Sequence, residues 1–567
     1  MPILIKTSNQ ALRQVLQPNI EEWPIYQLER DKTQFIEQLT DESMQHIRQI
    51  LGNDPKRIME EVARTMYLER IRIKNEPWAV DPKDEKPFWN AVNEQLIDIS
   101  RKKPFEGETD AERLLFRKII SRYAHEIPGH FNVNSYRFAT KAVPLAVSRL
   151  LNAASARKIF FPKIKIHDRL QVTGDIDLVR ALSLKGTILL TPTHFSNLDS
   201  ILVGWIISSI GLPAFLYGGG LNLFNSPAFR FFLERLGPYK VDRRKKSLLY
   251  IETLKTFSRL TLERGCHSLF FPGGTRARSG QIESYLKLGL LGSALDAQCQ
   301  NVVKAAEAGN AAGAKKIFVV PLAINYHFVL EASQLIEQHL RQIGREKYFI
   351  DSDTPPSLRK LTQFFWKFFA AKSEAILSFG APMDVFGNRV DAEGTSLDQH
   401  GCPINIADYF RSNDTYCADT QRDAEYTRML GDEIVRAFHR ANTVLASHLV
   451  AFAAFEILSR KHRRLDLYGL LRLPEEDRQI PFEQLAPIAE RVRNRLRQMS
   501  EAGEVQLSKH LHGDITRIIE YGIINLGIYH TLRPLKLSPD RQIMTENMNL
   551  LYYYHNRLMG YKLEDLI

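Results

Sequence analysis

The sequence predicts an α/β fold: a sheet covered on its faces by helices, set between helical regions at both ends of the chain. Three observations carry this. Between about residues 165 and 385, short apolar runs alternate with stretches long enough for helices. Residues 10–130 are charged, with apolar positions at helical spacing. The chain from Ala424 onward returns to a helical pattern.

Each region follows in order. In the first, Glu37, Gln38, Glu42, Arg48 and Lys56 punctuate Phe35, Ile36, Leu39, Met44 and Ile47. From Tyr136 to Arg169, basic residues alternate with apolar ones around Pro144, a pattern open to a membrane interface or to an ordinary basic helix face. Strands are expected at 187–190, 268–271, 317–324 and 375–379. The uncharged run 200–229 is broken by Pro213, three glycines at 218–220 and Asn222, and reads as a buried helix and loop. Residues 382–422, rich in Asp, Asn, Gly and Ser, read as a linker or surface excursion. The small-residue run 441–458 is open to a buried or a membrane-dipping helix and reads more simply as a buried core helix. The expected division is 1–160, helical; 161–390, α/β; 391–423, linker or excursion; and 424–567, helical.

Composition narrows the function classes. The 567 residues are 44% hydrophobic and 25% charged, enough for sizeable cores. A net charge of +11 favours anionic partners. Neither a basic tail nor an aromatic-interleaved basic sheet pattern is present, so nucleic acid is not expected. The four cysteines form no CxxC pair, which argues against a zinc ribbon or disulfide framework, and no metal is expected. The first ten residues lack a basic stretch followed by an apolar one, so no signal peptide is expected.

Four pieces can carry chemistry. The first follows the 187–190 strand: Thr191, Pro192, Thr193, His194, Phe195, Ser196, Asn197, Leu198, Asp199. Five residues apart, His194 and Asp199 do not share a helix face. They meet if the histidine stands on the strand-end loop and the aspartate enters the first helical turn. The aspartate then fixes the tautomer and leaves the other ring nitrogen as a general base. The spacing alone is a weak signal, since the chain holds 16 histidines. The second piece, after the 268–271 strand, is Pro272, Gly273, Gly274, Thr275, Arg276, Ala277, Arg278, Ser279, Gly280. Its small residues let backbone N–H groups approach an anion, and its arginines suit phosphate. The third, Gly237 to Lys246, holds Arg243, Arg244, Lys245 and Lys246, read as a phosphate clamp or a solvated charge run. The fourth, Val319 to Ile324, is a buried strand carrying Pro321. Trp205, Ile206, Phe215 and Leu216 are candidates for an acyl groove but read more simply as core.

In this order the four pieces resemble the glycerol-3-phosphate acyltransferase family. Its first block, a histidine and an aspartate separated by four residues, matches His194 and Asp199. Its second matches Gly237, Val241 and Arg243. Its third matches Phe271, Gly274, Arg276, Arg278, Ser279 and Gly280. Its fourth matches Val320, Pro321 and Ile324. Gly219 to Leu223, Asn325 to Glu331, and Tyr553 to Leu558 extend the likeness over roughly 120–567, favouring the large glycerol-3-phosphate enzymes over the small lysophosphatidate ones. One position departs: the family usually has a glutamate where this chain has Gly273, which bears on hydroxyl recognition. Some plant-type relatives also lack it.

The resemblance implies a central mixed sheet flanked by helices. It implies direct acyl transfer to the primary hydroxyl of glycerol 3-phosphate, giving the 1-acyl product at the first step of glycerophospholipid synthesis. His194 and Asp199 would be catalytic; Arg243, Gly274, Thr275, Arg276 and Arg278 would bind substrate. No cofactor is expected, the donor being acyl-CoA or acyl-carrier protein. The expected location is the cytoplasmic face of a membrane, peripheral to its lipid surface. Three alternatives stay open: dihydroxyacetone phosphate or a lysophospholipid as acceptor, thioester hydrolysis, and a decayed membrane-bound homologue.

Overall fold

The computed structural model describes residues 13–78, 80–101, 108–140, 170–221, 235–344, 374–528 and 530–567. The basic stretch expected at 136–169 lies outside them beyond residue 140.

A seven-stranded sheet forms the centre: β1 (Leu170–Gly174), β2 (Thr187–Pro192), β3 (Leu216–Gly220), β4 (Pro238–Val241), β5 (Ser268–Leu269), β6 (Ile317–Tyr326) and β7 (Ala375–Phe379). Their order is β1-β7-β6-β2-β5-β3-β4. The strands β6, β2, β5, β3 and β4 run parallel. β7 is antiparallel to β6 and parallel to β1, so the sheet is mixed. β2 and β6 are buried at every position, as strands covered on both faces must be. All four expected strands are present.

Pro321 sits inside β6, where a missing N–H would ordinarily break a ladder. Here β7 has ended at Phe379, and the chain turns before Met383 pairs again with Val319. Only the Pro321 carbonyl is called on from that side, accepting from Gly380 at 2.8 Å.

The glycine triplet corrects the sequence reading. Gly218, Gly219 and Gly220 do not break a helix or form a loop; they end strand β3. Gly218 pairs across to Tyr239 of β4, and a Cβ there would lie 2.9 Å from the Tyr239 hydroxyl. The packed aromatic ring demands glycine in a strand that propensity alone disfavours.

The N-terminal region is helical, as expected: α1 (Pro24–Arg30), α2 (Lys32–Ile50), α3 (Pro55–Asn75), α4 (Glu85–Arg101) and α5 (Asp110–Glu126). In α2, Phe35, Leu39 and Ile47 recur at helical spacing and are buried. A capping box between Thr109 and Glu112 starts α5. These helices build a second core with Tyr239, Leu249 and Phe257 at the β4 edge.

Among the described residues, six further helices surround the sheet: α6 (Ile176–Ser183), α7 (Asp199–Ser209), α8 (Leu248–Glu263), α9 (Gly289–Glu307), α10 (Ala332–Ile343) and α11 (Thr420–Ala441). Beyond them, α12 (Ala446–Lys461) is the expected buried helix. Then come α13 (Phe482–Glu501), α14 (Ile515–Asn525) and α15 (Met548–His555), which share one continuous core with the sheet. Residues 391–423 hold short strands, and Ile406, Ala407 and Phe410 join that core. Among the described residues, no helix is long and apolar enough to cross a membrane.

Candidate functional site

The site stands at the carboxyl ends of β2 and β5, where open α/β sheets place their ligands. His194 lies on the loop after β2, and Asp199 opens α7. The loop bends the aspartate back under the histidine. His194 Nδ1 lies 2.9 Å from Asp199 Oδ2. The same oxygen accepts the backbone N–H groups of Phe195 at 2.6 Å and Ser196 at 2.9 Å. Its partner Oδ1 accepts the Tyr326 hydroxyl at 2.7 Å. Asp199 is wholly buried, and four donors answer its charge. With Nδ1–H donated to Asp199, Nε2 carries the lone pair of a base.

A second carboxylate holds the loop from behind. Glu331, following β6, accepts from Ser196 Oγ at 2.9 Å and from the Asn197 N–H at 3.2 Å, and meets Arg276 Nη1 at 3.4 Å. Burial raises its pKa, and Arg276 opposes that rise.

The turn after β5 closes over the same loop. Phe271 stacks on the His194 ring, with centroids 4.1 Å apart. Ala277 N–H donates to the His194 carbonyl at 2.7 Å. The sequence puts Gly273 where a glutamate was expected, yet a carboxylate stands at that corner from another place. Glu283 Oε1 accepts the His194 N–H at 2.8 Å, and a Cβ at Gly273 would lie 3.0 Å from Glu283 Cγ. Glu283 therefore occupies the space that Gly273 leaves. The residue is half-buried, but its Oε2 is sealed from solvent without a hydrogen-bond partner.

Burial pushes the Glu283 carboxyl up to about 7, against 4.5 for an ordinary glutamate. The sign follows from proton counting. Between those values the folded chain holds a proton that the unfolded chain has lost, so stability falls as pH rises through that window. Glu283→Gln keeps the acceptor for His194 N–H and removes the titration. It is expected to exceed wild type in stability at pH 8 by about 1–3 kcal/mol, and to match it near pH 4.5. Thermal melts at the two pH values measure this; parallel curves for the two proteins would contradict it.

The predicted substrate-binding residues divide. Arg276 is 5% exposed and serves the scaffold through Glu331. Arg243 is exposed, Arg278 half-buried, and both bear on Lys287, whose pKa is lowered by burial and by these two cations. Lys287 also packs over Gly274, where a Cβ would lie 2.5 Å from its Cδ. Gly274 has φ +73°, a conformation natural to glycine. Lys287 thus stands beside the turn that holds Thr275, within the field of Arg243 and Arg278, and a bound anion would offset the positive charge that lowers its pKa. Two members of the 243–246 run are committed elsewhere. Arg244 is bound to Asp242 and Asp81 and lies 3.9 Å over the Trp78 ring. Lys245 is paired with Glu126 and Glu85. These two tie the sheet edge to the N-terminal helices rather than form a clamp. Ile206, Phe215 and Leu216 are buried in core, and Trp205 packs against it.

Sequence reasoning gave no site role to Tyr326, Glu331, Glu283 or Lys287. Tyr326, which ends β6, and Glu331 lie in the 325–331 segment that carried part of the resemblance, but nothing in their spacing marked them as partners of the 194–199 loop. Glu283 and Lys287 carry no spacing signal; only the folded turn brings them to the site. Among the described residues, no three His, Cys, Asp or Glu side chains converge as a metal site would require.

Residues 165–325 match the sequence model of the family described as Acyltransferase. The chain is 24% identical over 455 residues to a glycerol-3-phosphate acyltransferase of Pseudomonas paraeruginosa, covering 78% of this chain and 47% of the relative. It is 24% identical over 435 residues to one of Ectopseudomonas mendocina, covering 76% and 46%. Over 231 residues it is 25% identical to one of Pseudoalteromonas atlantica, covering 40% and 25%. The chain spans about half the length of the first two.

Proposed function

We propose, from the acyltransferase-family domain at residues 165–325, that this chain is an enzyme transferring an acyl group from a thioester to the primary hydroxyl of glycerol 3-phosphate. The observation that carries the reading is the His194–Asp199 pair beside a cluster of three cations. His194 Nε2 takes the hydroxyl proton as the oxygen attacks the thioester carbonyl. Asp199 steadies the imidazolium that results. The thiol of CoA or of a carrier protein leaves and recovers the proton, so no acyl-enzyme and no cofactor is needed.

Every backbone N–H from His194 to Leu198 is already donated within the protein. The oxyanion donors are therefore assigned to the 273–276 turn on the other side, apart from the Gly274 N–H, which is given to the Phe271 carbonyl at 3.0 Å. The phosphate is assigned to Arg243, Arg278 and Lys287, with Gly274 and Thr275 shaping the turn between them. Arg276 acts through the loop rather than on the phosphate. The reading places the chain on the lipid surface of a membrane's cytoplasmic face, where its acyl product partitions, and makes that product 1-acyl-glycerol 3-phosphate for glycerophospholipid synthesis.

The test is acyl transfer to labelled glycerol 3-phosphate, with acyl-CoA and with acyl-carrier protein as donors. Dihydroxyacetone phosphate and a lysophospholipid serve as competing acceptors. Transfer to glycerol 3-phosphate is expected, with Arg278→Lys raising its KM about tenfold because the fork geometry is lost. Transfer only to another acceptor would replace the substrate. Thioester loss that needs no acceptor would replace transfer with hydrolysis.

A further inference from the structure

The chain's last helix reaches the His194 loop from far away in sequence. Arg557, one turn beyond α15, is 4% exposed. Its guanidinium carbon lies 3.4 Å from the centroid of the Phe195 ring, and its Nη2 donates to the Ile324 carbonyl at 3.3 Å. Phe195 is the residue next to His194 and the one whose N–H binds Asp199. The same segment fastens the other half of the site. Asn556 Nδ2 donates to the Ser279 carbonyl at 2.9 Å, and the Tyr554 hydroxyl accepts the Val329 N–H at 3.0 Å. Gly280 has φ +85° and no room for a Cβ, which would lie 2.1 Å from the Tyr553 carbonyl oxygen.

A guanidinium out of water needs carboxylates near it. Arg557 is within the field of Glu283 and Asp199 and of the phenols of Tyr553 and Tyr561, and burial together with Arg557 keeps the His448 imidazole neutral. With Glu331 and Arg276 included, the buried group holds three carboxyl groups beside two cations, and the Glu283 carboxyl keeps its proton up to about 7. His194 becomes the third cation when it takes a proton.

We infer that Arg557 is a positioning residue of the His194 centre, holding the 194–199 loop through the Phe195 ring and balancing the carboxylates around it. The C-terminal segment is then part of the site, not an accessory to it. The inference rests on His194 acting as the base, and it makes a claim that can be read without acyl transfer. Removing the positive charge of Arg557 makes the field at His194 more negative, so the ring keeps its proton to higher pH. Lysine keeps the charge but loses the flat fork that stacks on Phe195.

The experiment compares full-length wild type, Arg557→Gln and Arg557→Lys. The pH dependence of diethyl pyrocarbonate modification at His194 is followed by peptide mass spectrometry, with folding checked by thermal melting. The expected result is a midpoint about one pH unit higher in Arg557→Gln, and a wild-type midpoint in Arg557→Lys. In the transfer assay, Arg557→Lys is expected to lose about tenfold in kcat at an unchanged acceptor KM. Identical modification profiles in all three proteins would overturn the inference. If Arg557→Gln does not fold, the Lys variant decides alone: lowered kcat supports the positioning role, and wild-type kcat overturns it. A wild type that transfers no acyl group to any acceptor would refute the proposed function, while the modification profiles would still decide the role of Arg557.

Discussion

His194→Ala is expected to lower acyl transfer per folded molecule by about 10²- to 10⁴-fold, the usual worth of a positioned base. The acceptor KM should stay within about threefold, because the assigned phosphate contacts lie on other elements. Asp199→Asn separates geometry from charge. Asp199 Oδ2 receives three donors, and Oδ1 receives the Tyr326 hydroxyl. An asparagine can keep its oxygen at the three-donor position and turn its amide toward Tyr326, whose hydroxyl rotates to accept. The loop then persists while the charge that steadies the imidazolium is gone. Loss of activity comparable to His194→Ala, in a protein that melts like wild type, is the expected result. A His194→Ala protein retaining more than about a tenth of wild-type kcat would remove His194 from the role of base.

The second large effect is on stability. Glu331→Ala leaves the Arg276 guanidinium buried without its carboxylate and strips acceptors from Ser196 Oγ and the Asn197 N–H. Breaking a buried pair from one side costs about 3–5 kcal/mol. Denaturant unfolding should show a loss of that size, together with lost activity as the 194–199 loop relaxes. In the double variant Arg276→Met with Glu331→Leu, both charges leave, and much of the stability is expected to return while activity does not. A loss below about 1 kcal/mol in Glu331→Ala would show that Arg276 finds another partner. The contrast matters for function: Arg276 reads as a phosphate ligand in the sequence but acts as a strut in the fold.

The sequence by itself determined the α/β class, since the 187–190, 268–271, 317–324 and 375–379 runs are apolar enough to be buried whatever surrounds them. It also determined the His194–Asp199 meeting. A strand-end histidine and a helix-opening aspartate are local neighbours, and a single loop brings them together. The helix within 441–458 was legible as one that leaves water, since its run is small and nearly uncharged, and the fold buries it in the core rather than in a membrane.

Tertiary structure alone decided the rest. The 218–220 glycines became strand because Tyr239 on the adjacent strand needs the space. Arg244 and Lys245 form neither a phosphate clamp nor a solvated run, because carboxylates on the N-terminal region, Asp81, Glu85 and Glu126, claimed them. Glu283 came to stand beside Gly273, and Arg557 reached Phe195 across the whole α/β region. In each case the deciding partner is distant along the chain. A charge is recognisable from one residue, but its role is set by the opposite charge or the empty space that folding brings to it.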